Sequence, residues 1–204
     1  MSGWAINDIS NVLLQLNNKR LPFTNVIFKT NNGKIMPIAK GGTSYVYDVE
    51  NHPELVIKVI GFSDKDADYD SFGKIMLSQK ELSKNTNCVK IYEFYDLYIA
   101  FDECDNIEYV KTFSKQEHFD NTDRYQFILM EKLSPIICHG EYGLSNMTYD
   151  KITPKALEMG NEEEVLKLAG NIGLALRIAH SNKILHRDIK PENIFYSKKI
   201  IYIN

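Results

Sequence analysis

The sequence predicts an α+β chain folded as two lobes, a β-rich first half followed by a helical second half, and three observations carry that prediction. Residues 25–60 are rich in Val, Ile and Tyr and are broken by turn signals. Residues 162–181 repeat apolar side chains every three or four positions. Between the two textures Pro135, Gly140, Gly143, Pro154 and Gly160 cluster, which marks a break. With 204 residues the chain is long enough for one good core or two small ones. Two such lobes imply a cleft between them.

In chain order, Trp4, Ile9, Val12, Leu13 and Leu16 fall at helical spacing. They predict a helix packed on the first lobe, with a partner-docking peptide as the sharper alternative. Strands are predicted over 26–29 and 34–39, flanking the turn Asn31-Asn32-Gly33. Further strands over 45–49 and 55–60 are joined across Asn51, His52 and Pro53. Phe72, Ile75, Met76 and Leu82 predict a helix over 71–83, and 89–101 reads as a strand. Residues 102–124 read as an acidic insertion, irregular or hairpin-like, before a strand over 125–131. Its Asp102, Glu103, Asp105 and Glu108 lack the spacing and the glycine of a calcium loop, so they read as a solvated face. Asn161 can cap the helix 162–181. Glu162 and Glu163 suit its positive end, and Glu164 stands at the capping-box position. Val165, Leu168, Ala169, Ile172, Leu176 and Ala179 form its apolar stripe. The domain reading is 1–34 for the helix and lead-in strand, 35–133 for the β-rich lobe and 134–204 for the start of the helical lobe.

Bulk properties narrow the partners. A net charge of -3 speaks against nucleic acid. No apolar run approaches the ~18 residues of a membrane span, and the N-terminus lacks the basic lead-in of a secretory signal. Cys88, Cys104 and Cys138 are odd in number and form no CxxC pair, so a reducing, cytoplasmic setting is expected.

Three segments carry chemistry. Residues 38–47, with Gly41-Gly42 between two predicted strands, offer small residues where backbone N–H groups can approach phosphate oxygens. Alone, such a pair is usually just a turn. Lys58 lies inside Leu55-Val56-Ile57-Lys58, where a lysine costs desolvation unless it meets an anion or snorkels from a strand edge. The strand alone leaves both readings open. The octapeptide His186 to Asn193, HRDIKPEN, is the specific signal. Its Asp can accept the proton of an attacking hydroxyl, the Lys two residues on can neutralise a moving phosphoryl group, and the Asn can hold Mg²⁺.

From about Ile35 onward the chain resembles the eukaryotic-type protein kinase superfamily, Ser/Thr branch. His186, Arg187, Asp188, Lys190, Pro191 and Asn193 match its catalytic loop, and Lys190 sets that loop apart from tyrosine kinases. The glycine positions of the family's phosphate-covering hairpin become Ala39, Gly41 and Ser44, with Val46 retained, and Val56 stands where Ala is usual. The resemblance implies a protein-kinase-like two-lobe fold, ATP and Mg as cofactors, and a protein substrate with Ser or Thr. Asp188, Lys190 and Lys58 would act in catalysis, with Asn193 on the metal. Ile38, Gly41, Gly42, Ser44, Val46, Val56 and Lys58 would hold the nucleotide together with Met130, Glu131, Leu133, Asn193 and Phe195. Glu81 is the candidate helix partner for Lys58.

The sequence given ends at Asn204, where the family's Asp-Phe-Gly is expected to begin. Negligible turnover and self-association through an exposed helix are therefore expected of these 204 residues alone. The alternatives are a nucleotide-binding pseudokinase or interaction module, and a small-molecule phosphotransferase, which Arg187 and Lys190 disfavour.

Overall fold

The computed structural model describes residues 6–41, 44–62, 72–84, 88–112, 122–135, 162–185, 189, 193–197 and 200–203. The chain divides into two compact units, Met1–Ser71 with Ile91–Lys132, and Phe72–Lys90 with Leu133–Asn204.

The first unit is a helix on a six-stranded sheet. Helix α1 (Ile6–Asn18) precedes β1 (Ala39–Lys40), β2 (Ser44–Val49) and β3 (His52–Phe62). Strands β4 (Ile91–Phe101), β5 (Ile107–Thr112) and β6 (Thr122–Glu131) complete the sheet, in the antiparallel order β1-β2-β3-β6-β4-β5. Because side chains alternate across a strand, β3 sends Ile57 and Val59 to one face, where both are fully buried. That face packs against Ile9, Val12, Leu13 and Leu16 of α1, together with Phe23, Phe28, Tyr47 and Phe127. The α1 spacing read from the sequence therefore marks its core face.

Polar side chains on α1 replace missing strand partners. The Asn17 amide accepts from Phe28 N at 2.9 Å and donates to Phe28 O at 2.8 Å. The Gln15 amide donates to Asp105 O and accepts from Ile107 N, while Ser10 Oγ accepts from Ile35 N. These bonds explain a correction. Residues 26–29 and 34–39 are not regular strands: 26–29 contribute one isolated bridge, Phe28 to Val49, and only Ala39 of the second segment enters β1. Phe28 has given its backbone groups to a side chain, and Pro37 has no N–H to give. The turn itself is tight, with Asn32 and Gly33 at φ 51° and 74° and reciprocal bonds between Asn31 and Lys34. Positive φ at both central residues is the type I′ requirement.

Two other boundaries move. The β2–β3 turn is held by Asn51 at φ 61°, so His52 and Pro53 already belong to β3. Within the acidic segment the hairpin-like alternative is met by β5, which pairs with β4, while residues 113–121 lie outside the described residues. The Asp102 carboxylate closes the β4–β5 hairpin by accepting from the backbone N of Cys104 and of Asn106. The multiple hydrogen bonds hold that carboxyl below its usual range.

In the second unit α2 (Phe72–Leu82) buries Met76 and Leu82 but leaves Ile75 52% exposed, contrary to the expected face. Neighbours in sequence point about 100° apart on a helix, so a narrow contact cannot take both 75 and 76. Strands β7 (Ser134–Pro135), β8 (Ile194–Ser197) and β9 (Ile200–Ile203) form an antiparallel sheet against which α3 (Glu162–Ser181) packs. The bounds of α3 match the sequence reading, while Asn161 lies outside the described residues. Of the stripe residues whose side chains are described, Ala179 is buried, Ile172 and Leu176 are half-buried and Ala169 is exposed, while Ala175 is buried beside them. The helix ends in a Schellman arrangement, with Ile184 N bonded to Ala179 O, Lys183 N to His180 O, and Lys183 at φ 60°. Among the described residues no helix is long and apolar enough to cross a membrane.

Candidate functional site

Register decides which predicted residues meet. In β2 and β3, Ser44 faces Ile60, Val46 faces Lys58, and Asp48 faces Val56. On the other side of β3, Val56 faces Met130 and Lys58 faces Ile128. Ala39 faces Val46, and Ile38 N continues that pairing with a 2.8 Å bond to Val46 O. Directly opposed residues share a sheet face. Ala39, Ser44, Val46, Val56, Lys58 and Met130 therefore lie together on the face turned away from α1.

The chemistry of this face centres on Lys58. It is half-buried, and burial pushes its ammonium below the ordinary lysine pKa. Among the described residues it has no hydrogen bond and no ion pair. An apolar setting of Val46, Val56 and Ile128 around an uncompensated cation is an arrangement that an anion would relieve. In the second unit Glu81, the candidate helix partner, pairs with Lys84 three residues on, both well exposed.

The hairpin beside Lys58 closes through Gly41 N to Ser44 O at 2.7 Å. On the opposite face Lys40 Nζ stands 5.5 Å from the Tyr45 ring centroid, a cation–π contact across β1 and β2. Gly42 lies outside the described residues. At the far end of the face, Lys132 fastens β6 to the β2–β3 pair through its Nζ to Asp48 and its N to Glu54 O. Met130 and Glu131 sit at this secured end, where Ile91 faces Met130 and a bulge in β4 falls at Tyr92. Burial, then the charges of Glu131 and Glu54, raise the Tyr92 hydroxyl pKa.

In the second unit Leu133 is half-buried. Phe195 is paired with Pro135 and with Tyr202, and Asn193 immediately precedes β8. Asp188 and Lys190 lie outside the described residues, as do His186, Arg187 and Pro191.

One cluster escaped the sequence reading. On the Lys58 face Arg124 makes a two-point contact with Asp96, Nε to Oδ1 at 2.8 Å and Nη2 to Oδ2 at 2.6 Å. Gln126 adds a 3.0 Å bond to the same carboxylate. The Arg124 and Asp96 side chains are only 9% and 16% exposed. The signal was present in the alternation of Arg124 and Gln126 with buried Tyr125 and Phe127 along β6.

A sequence profile described as the protein kinase domain matches residues 34–203. The chain belongs to the eukaryotic-type protein kinase superfamily. Its six-stranded antiparallel sheet and its helices fit the β-rich N-lobe and a partial helical C-lobe of that fold. Over 120 residues it is 28% identical to cyclin-dependent kinase F-4 of Oryza sativa subsp. japonica, which covers 58% of this chain and 25% of the relative. A 33-residue stretch is 54% identical to inhibitor of nuclear factor kappa-B kinase subunit alpha of Danio rerio, covering 16% of this chain and 4% of that protein. The chain thus spans a quarter or less of the length of these kinases.

Proposed function

We propose that this kinase chain binds MgATP on the Lys58 face and belongs to a protein kinase that phosphorylates Ser or Thr. The observation that carries the nucleotide reading is Lys58 itself, a half-buried cation without an acidic partner among the described residues, flanked by Val46 and Val56. Ile38, Val46, Val56, Met130, Glu131, Leu133 and Phe195 would enclose the base. The backbone of Gly41, Gly42 and Ser44 would approach the phosphates. Magnesium would supply charge neutralisation at the phosphates, with Asn193 as its ligand from this chain. By the octapeptide, Asp188 would take the substrate hydroxyl proton and Lys190 would balance charge on the phosphoryl group. The Ser/Thr reading rests on Lys190.

In this reading residues 35–133 form the nucleotide-holding lobe, with 1–34 joined to it, and 134–204 carry the catalytic loop. Cys88 and Cys104, which form no disulfide among the described residues, suit a cytoplasmic setting. Exposed Leu166, Leu174, Leu185 and Ile189 support self-association of the chain.

A second reading is nucleotide binding without transfer, in a chain that carries Ala39 and Ser44 at two of the family's three glycine positions. Calorimetric titration with MgATP, repeated on Lys58→Met, tests binding. Transfer of labelled γ-phosphate to peptides containing Ser, Thr or Tyr, repeated on Asp188→Asn, separates the two readings. No MgATP binding by the parent chain would overturn both, and transfer to Tyr alone would overturn the Ser/Thr assignment.

A further inference from the structure

We infer that the Ser44 hydroxyl is a side-chain donor to the nucleotide phosphates, a role that deepens the proposed MgATP site and rests on it. Ser44 stands where the family's hairpin has its third glycine, a position whose usual virtue is the lack of a side chain. Here the side chain is present and has been given room. A Cβ built on Gly41 would stand 3.0 Å from Ser44 Oγ, so a side chain at 41 would crowd the hydroxyl at 44 and force a shift. The two residues face each other across the hairpin, closed by the bond from Gly41 N to Ser44 O.

The direction of that hydroxyl follows from register. Ser44 opposes Ile60 and Val46 opposes Lys58, so Ser44 and Lys58 are diagonal neighbours on one face of β2 and β3. Diagonal neighbours lie about 7–8 Å apart, within reach of one group lying over the face, and a phosphate could accept from both side chains. Neither group is engaged: Ser44 Oγ and Lys58 Nζ have no hydrogen-bond partner among the described residues. Tyr45, by contrast, belongs to the opposite face, where it packs against the α1 core and takes the Lys40 cation. Two unpaired donors on one face, one cationic and one neutral, suit an oxyanion better than a base or a sugar.

The test uses the whole chain, with ATP and adenosine as probes in the presence of Mg²⁺, on the parent and on Ser44→Ala, Ser44→Gly and Ser44→Thr. A bond to a charged phosphate predicts that Ala and Gly each weaken ATP binding about 10-fold. Thr, which keeps the hydroxyl, should stay near the parent, and adenosine affinity should not change in any variant. Ser44→Gly is decisive because it restores the family's residue. If it binds ATP as tightly as the parent or more tightly, only smallness matters at 44 and the inference is overturned. Equal losses for ATP and adenosine would also overturn it, since they report general damage to the hairpin. A parent chain that binds neither probe overturns the proposed function and this assignment together. Binding of both, with ATP affinity insensitive to Ser44, overturns this assignment alone.

Discussion

Replacing Lys58 by Met should stabilise the free chain and at the same time abolish most of its stabilisation by MgATP, a pair of opposite signs that few other roles for a lysine would produce. The free-state gain follows from the environment: burial lowers the Lys58 pKa, and no acidic group among the described residues compensates the charge. The folded form holds its proton less tightly than the unfolded form. The penalty is therefore fully present below the lowered folded value, shrinks as pH rises towards 10.5, and is gone above it. The parent should gain stability over that alkaline window and Lys58→Met should not.

The liganded state gives the magnitude. At MgATP 100 times above its dissociation constant, linkage adds about 2.7 kcal/mol to the parent. Loss of one charge-assisted contact worth about 2.7 kcal/mol weakens binding roughly 100-fold, which brings the same ligand concentration down to the variant's dissociation constant. Its stabilisation then falls to about 0.4 kcal/mol. Urea unfolding with and without MgATP, over neutral to alkaline pH, reads both effects. A variant less stable than the parent when free, or still stabilised by MgATP to the parent's extent, would refute the reasoning.

Three further outcomes test the framework that holds the site. Arg124→Met strands the Asp96 carboxylate, of which 16% of the side chain is exposed. It should cost about 3–5 kcal/mol by urea unfolding, with much of that loss recovered when Asp96→Leu is added. The Tyr47 hydroxyl is buried with no hydrogen-bond partner, so Tyr47→Phe should be neutral or stabilising by about 1 kcal/mol. Burial and the neighbouring Tyr45 also raise the Tyr47 pKa, so the parent loses stability above pH 10 as the unfolded chain ionises. Tyr47→Phe should lose less in that range. Lys183 holds a left-handed backbone at φ 60° at the end of α3, and Lys183→Gly should raise stability by about 0.5–1 kcal/mol in thermal unfolding.

What could be read from the sequence was whatever depends on local periodicity. Leu55 to Ile60 is rich in Val and Ile and lies within β3, and α3 runs from Glu162 to Ser181 as its acidic start and apolar repeat predict. What could not be read depends on partners distant in the chain. Phe28 makes a single bridge to Val49, and the backbone groups it turns away from β2 are taken by an amide eleven residues earlier, on Asn17. Strand β5 hides in an acidic segment because it is an edge strand, with Ile107 buried and Glu108 and Lys111 exposed. For the site, the resemblance named Val46, Val56, Lys58 and Met130 together, and it is the register of β2, β3 and β6 that puts them on one face. The sequence did not show the surface pair of Glu81 with Lys84. Nor did it foresee Asp96 and Arg124, a pairing that only the register of β4 on β6 creates.

The two faces of the sheet are physically linked through that same alternation. Lys58 is held outward because Ile57 and Val59 are fully buried on the α1 side. A slip of one residue in β3 would carry Lys58 into a dry core and send both aliphatics out. The slip is opposed on three sides, by Val46 and Ile128 across the ladders and by α1 beneath. Helix α1 in turn is fastened by Ser10, Gln15 and Asn17 to backbone groups that no strand satisfies. The N-terminal helix, although it carries none of the candidate nucleotide ligands, is therefore part of what fixes the lysine's position. Its core leucines set the register, and the register sets which way the ammonium points.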